Sequence, residues 1–367
     1  MADWTKPFDA AYVWRRVPRK SYAYANGNYF DLTGTETETL DAITGGTIET
    51  NSDTDTFTTA SIECAEVPNV GTDLIRCHLV ATFEDGTVED VVLGTWLPSI
   101  PKRDIEAPNA SCTVRLDGRL MELEQDAFAP PVTVNAGVDA PSYVALICHN
   151  NCITTAYPLP QNTKTLGTKW VIGLSSDEDG DESKLAAINR MLGFAGCRAA
   201  QTDEYGRVLM RMPIDYASAP VWTFREGASA TFLNDATDER DATDICNVVI
   251  ALFESQESTT IGRAEDHSSE WSIENLGREK VGIYKYNDAA TQAQANAKAA
   301  ELLENQLSVI RRVTIRHVWC GARTGDVVAL EWPSVGISGN FAIRRQTIAV
   351  GSAGCICTSE LRRFERG

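Results

Sequence analysis

Hydrophobic and polar positions alternate along much of the chain, and that alternation predicts strands before anything else. In residues 57–65, Thr58, Ala60, Ile62 and Cys64 fall on one side of an extended backbone and Phe57, Thr59, Ser61 and Glu63 on the other, the first set reading as the inward face. Leu74–Phe83 and residues 88–97 are apolar runs on either side of Asp85-Gly86, a turn dipeptide. Upstream, residues 21–32 are tyrosine-rich around Asn26-Gly27, and Gly45-Gly46, read as a turn needing positive φ, precedes another strand. Short strands with polar turns fit a small closed or nearly closed barrel over residues 21–105.

After Pro98 and Pro101 the pattern changes. Residues 143–149 are apolar and of either type, whereas Leu185, Ile188, Met191 and Leu192 share one side of a helix, capped by a Ser or Asp of the run at 176–182 and ended by Gly193 and Gly196. Two short strands around 203–206 complete a mixed middle domain, 106–240. Residues 245–253 are the most apolar strand of the chain, and 288–307 form an alanine-rich helix with Ala295, Ala299, Leu302, Leu303 and Gln306 along one side. Strands at 309–319, 326–332 and 340–350, with Gly325 and Asp326 turning the chain into Val327, make 241–350 a second β-barrel-containing domain. Residues 1–20 stand apart as an arm in which Pro7 and Pro18 confine any helix, and 351–367 as a tail. The expected fold is mainly β with α+β inserts: two tube-like antiparallel β-barrel domains and a mixed middle domain. Trp96 is a strand-end anchor, while Trp4 and Trp14, set among arginines, are candidates for contact with a neighbouring subunit.

Composition sharpens this picture. A chain of 367 residues with 43% apolar content is long enough for two or three domains and too apolar for disorder. A net charge of −18 disfavours direct nucleic-acid binding. Residues 301–367 nevertheless carry 9 basic against 6 acidic side chains, which leaves a slightly basic end able to meet an acidic neighbour. Neither an apolar leader nor a stretch long enough to span a membrane is expected, so the chain reads as a soluble product made in the cytoplasm.

Candidate chemistry is sparse. There is no Gly-x-Ser-x-Gly elbow, Walker loop, His-Glu-x-x-His or dinucleotide fingerprint, and the 4 histidines are scattered. The acidic run reads as a solvated loop and helix cap before it reads as a cation site. Cys355 and Cys357, with Cys320 as a further ligand, are the strongest metal candidates for zinc or an iron–sulfur cluster, and Cys148 and Cys152 around His149 form a second near pair. Against this, alternate residues of a strand share a face without any metal, and most of the 10 cysteines suit buried small apolar positions.

Several segments, in order, resemble the tail-hub proteins of siphophages, which are similar to the central hub of contractile-tail baseplates. They are DLTGTETETLDAITGGTIET onward in 31–64, DLIRCHLVATFEDGTVEDVVLGTWL at 73–97, the helix and β pair at 182–211, DATDICNVVIAL at 241–252, the helix, strand and Gly-Asp-Val-Val of 293–333, and GNFAIRRQTIAV at 339–350. The aromatic arm and the cysteine-rich end depart from the pattern. The resemblance implies a structural virion protein of the tail tip: a homotrimeric hub whose paired barrels match a hexameric tail tube. Its partners would be the tube or a distal tail ring, the tip, spike or fibre proteins and the tape measure protein, with genomic DNA passing through an acidic lumen during ejection. Two other readings stay open. One is a different tail structural protein, such as a distal ring or fibre-adaptor subunit; the other is a tail-associated cell-wall hydrolase.

Overall fold

Residues 57–65 do form a strand, Thr58–Cys64, and its Thr58, Ala60, Ile62 and Cys64 are buried as the alternation requires. The same rule accounts for the N-terminal segment. Phe8–Val17 is an extended strand paired antiparallel along its whole length with Leu74–Phe83, with Trp14 opposite Cys77. Its alternate residues Phe8, Ala10, Tyr12 and Trp14 pack into the sheet's core. The structure is a computed structural model that describes residues 3–18, 23–25, 28–30, 36–41, 43–66, 68–99, 102–106, 109–151, 153–161, 163, 165–167, 169–173, 182–241, 245–254, 259–286, 291–306, 308–351 and 354–366.

The chain divides into two compact units, residues 1–233 with 316–359 and residues 234–315 with 360–367. The division falls inside three strands, Phe232–Asp241, Ser308–Val318 and Ile356–Arg366. The largest sheet runs in the order Phe232–Asp241, Ser308–Val318, Ile356–Arg366, Ile337–Val350, Ile43–Asn51, Thr58–Cys64, Asn109–Gly118, Val88–Pro98, Leu74–Phe83, Phe8–Val17 and Glu38–Thr39.

This order corrects the expected architecture. The mainly β character with α+β inserts holds, but among the described residues no sheet closes into a barrel: the path ends at two different strands that do not pair with each other. The two expected β units are instead joined edge to edge, because Ile43–Asn51 pairs antiparallel with Ile337–Val350, Ile48 opposite Ile348. Alternation marks which side of a strand is buried, and a half-buried open sheet gives the same signal as a barrel wall.

In the first unit, an insertion after Asn109–Gly118 builds a second core. The helices Leu120–Glu124, Ala140–Asn150 and Lys184–Ala195 enclose Leu123, Val144, Ile147, Leu185, Ile188 and Met191. Local chemistry sets their ends. Asp139 caps the second by accepting from the Ser142 amide at 3.0 Å, and Ser183 caps the third by accepting from the Ala186 amide at 3.0 Å. Gly196, at φ 82°, ends that third helix in the left-handed conformation that glycine adopts without strain.

The second unit contains a three-stranded sheet, Thr259–Glu265, Val248–Glu254 and Val281–Tyr286, covered on one face by the helix Gln292–Gln306 through Ala295, Ala299 and Leu303. Gly262 permits this approach, since a Cβ there would lie 2.0 Å from the Ala295 carbonyl oxygen. Among the described residues, no helix is long and apolar enough to cross a membrane.

Candidate functional site

Where the insertion meets the sheet in the first unit, a cavity of about 70 Å³ opens between the strands Ile43–Asn51 and Val88–Pro98 and the small hairpin Gln201–Thr202 with Val208–Leu209. Three buried polar atoms on its wall, Gln201 Oε1, Thr202 Oγ1 and Trp319 Nε1, have no hydrogen-bond partner. Each such group costs about 1–3 kcal/mol when buried unpaired, a cost that a small polar molecule meeting them would offset. Arg323 borders it, donating to the Val92 carbonyl at 3.1 Å and lying 5.6 Å from the Trp319 ring centre. Phe57 lines the same pocket with φ 59°, a strained value for a residue with a side chain. This arrangement can hydrogen-bond a small polar molecule but brings no nucleophile and base together.

The serine–histidine contact of the first unit lies elsewhere. His317 Nε2 is 2.8 Å from Ser359 Oγ, and His317 Nδ1 is 2.8 Å from the Val318 carbonyl. Both side chains are fully buried. Burial lowers the imidazole pKa to about 4. The pair is sealed from any substrate, and its role is in the core.

A charged network occupies one edge. Glu36 accepts from Arg15 at 2.6 Å, Arg76 at 3.0 Å and His78 Nε2 at 2.9 Å, and Asp90 sits 2.6 Å from His78 Nδ1. Burial alone would raise the Glu36 carboxyl, but these hydrogen bonds outweigh it and hold the pKa at about 2.

Cys320, Cys355 and Cys357 are all buried, Cys357 within the strand Ile356–Arg366. Cys355 and Cys357 share one face of an extended run in which residues 355, 357, 359 and 361 all point inward. Burial pushes the Cys320 thiol up to about 12, and a hydrogen bond with Cys355 together with burial holds Cys357 well above its ordinary value. Tyr12 lies close to this group and donates to the Ala349 carbonyl at 3.1 Å. Among the described residues, no group of three or more His, Cys, Asp or Glu side chains could hold a metal ion.

With this geometry in hand, comparison is informative. No family model matches the chain, and no curated protein does. Solved structures do. A tail protein from Neisseria meningitidis MC58 superposes with a TM-score of 0.63 over 97% of both chains at 12% identity. The 43 kDa tail protein of prophage MuSo2 from Shewanella oneidensis gives 0.62 at 9% identity, over 95% of this chain and 97% of that one. The chain has the fold of a tail protein. The Francisella PdpA–VgrG complex shares it with a TM-score of 0.54 at 8% identity, over 97% of this chain and 58% of that one.

Within this tail-protein fold, the residues singled out from sequence fall in several places. Trp96 is fully buried, donates to Thr58 Oγ1 at 3.1 Å and packs against Trp14 at 6.2 Å between ring centres. Trp14 and Trp4 both belong to the chain's own core, Trp4 meeting Phe8 and Phe83 edge-on. Gly45 and Gly46 lie inside the strand Ile43–Asn51 at a bulge, and Gly46, at φ 154°, crosses so close to the next strand that a Cβ would sit 2.1 Å from the Ser61 carbonyl oxygen. Gly325, at φ 94°, and Asp326 form a tight turn in which Asp326 accepts from the Arg323 amide at 2.9 Å. The Asn26-Gly27 turn, residues 176–181 of the acidic run and Cys152 lie outside the described residues. The pocket residues Gln201 and Thr202 carry no signal in the sequence beyond standing between a short strand at 197–200 and the turn at 203–206.

Proposed function

We propose that this chain is a structural protein of a phage-type tail, acting at the distal end as a homotrimeric hub between the tail tube and the tip, spike or fibre proteins. The observation that carries this reading is the superposition on tail proteins over nearly the whole of both chains, including the inserts. The ordered sequence segments between residues 31 and 350 support the hub position and its threefold copy number. The net charge of −18 suits a wall past which DNA slides without adhering. On this reading the role is architectural and not catalytic.

The second unit supplies a surface suited to assembly. On the face of its sheet away from the helix, Ile261, Ile283 and Val281 are 52%, 60% and 44% exposed. Register places Ile261 beside Leu252, and Ile283 beside Ile250, on that same face. Exposed branched apolar residues in one patch mark a surface that a partner covers.

Mass spectrometry of purified particles, with subunit counting at the tail tip by electron microscopy, tests the proposal. Three copies at the tip are expected. Six would place the chain in a distal ring, and absence from mature particles would refute the tail role.

A further inference from the structure

A second cleft of the first unit, about 210 Å³ in volume, shares Phe57 and Gln201 with the first and is lined also by Ser52, Thr54, Arg198 and Arg344. Its arginines are unevenly paired. Arg344 donates to Asp53 at 2.6 Å, and Arg211, which lines the neighbouring pocket, stands 3.6 Å from Asp326. Among the described residues, Arg198, half-buried, has no carboxylate within ion-pair distance and only the Ser52 hydroxyl oxygen, at 3.4 Å, as a side-chain acceptor. Guanidinium nitrogens of Arg211 and Arg198 converge above Gly325, where a Cβ would lie 2.9 Å from one and 3.2 Å from the other. The positive charge is therefore concentrated and incompletely neutralised. Burial, then the charges of Arg344 and Arg211, lower the Arg198 pKa to about 10.

The remaining donors are also arranged for an anion. Ser52 Oγ accepts from both Arg198 and the Gln201 amide nitrogen, the latter at 3.3 Å, so its own proton is free to be donated. A half-buried guanidinium with no direct ion pair, and only the more distant charge of Asp326 to offset it, is unfavourable, and its planar fork matches two oxygens of one anion.

We propose that the Arg198 cleft is a binding site for a small oxyanion, a phosphate or a carboxylate, held by Arg198 with Arg344 and Ser52 beside it. This site is separate from the assembly role and does not depend on it. The pocket bordered by Trp319 shares Phe57 and Gln201 with this cleft but is lined by neither Arg198 nor Arg344.

The test is isothermal titration calorimetry and thermal melting of the full chain with sodium phosphate and with sodium acetate, against sodium chloride at equal ionic strength. Saturable binding and a rise in melting temperature are expected with phosphate or acetate beyond that with chloride. Preference for acetate identifies a carboxylate from an acidic partner segment, and preference for phosphate a free phosphate. Arg198→Gln should weaken binding about tenfold or more, the loss of one charge-assisted contact. In chloride alone it should melt no lower than the parent, because it removes an uncompensated charge. Arg198→Lys keeps the charge without the fork and should bind more weakly than the parent while folding normally. Equal responses to all three salts, or full affinity in both variants, would overturn the proposal.

Discussion

At the scale of single residues, the glycine pair shows what close approach demands. Gly46→Val would drive a methyl group into the Ser61 carbonyl 2.1 Å away, whereas the nearest backbone to a Cβ at Gly45 is the Val350 oxygen at 3.4 Å. Urea denaturation should show Gly46→Val destabilised by about 3 kcal/mol and Gly45→Ala changed by less than about 1 kcal/mol. The sequence marks the pair as a turn, whereas both lie inside a strand at a bulge and only Gly46 has the close approach that excludes a side chain; a Gly-Gly dipeptide signals a turn and a bulge equally well. Arg198 was not legible at all, because its significance lies in a missing partner that only packing reveals. Acid stability follows from two other residues. The unfolded chain protonates His317 near 6.5 and Glu36 near 4.5, before the folded chain does at about 4 and about 2. In each case the unfolded state binds more protons across the interval, so stability falls with pH, first from 6.5 towards 4 and then from 4.5 towards 2. Glu36→Gln should flatten only the lower interval in denaturation curves taken at successive pH values.

Among elements, helices were more readable than sheet partners. Lys184–Ala195 and Gln292–Gln306 each carry an apolar stripe that local spacing reveals, and Ser183 supplies the cap. Strands such as Leu74–Phe83 were equally visible, yet their neighbours were not, since pairing is decided by residues far away in the chain. The docking of Gln292–Gln306 depends on an absence of side chain at Gly262. Gly262→Ala should lift the helix from its sheet at a cost of about 1–3 kcal/mol. Amide hydrogen exchange should then show lost protection along the helix and along Thr259–Glu265, with that of Thr58–Cys64 unchanged.

For the whole molecule, function depends on surfaces. Replacing both Ile261 and Ile283 with Glu puts charge on the exposed sheet face of the second unit without touching its buried side. The variant should melt within a few degrees of the parent yet fail to enter particles when it competes with wild-type chain, as measured by mass spectrometry. Normal incorporation would show that face to be uninvolved. The pairing of Ile48 with Ile348 across the centre of the main sheet has a further consequence, for synthesis. The strand Ile43–Asn51 emerges from the ribosome long before its partner exists, and one of its edges must wait some three hundred positions for completion. Until translation is nearly finished, that edge is an open template for strands of other nascent chains. Crowded polysomes would thus be the setting in which this protein is most vulnerable to aggregation.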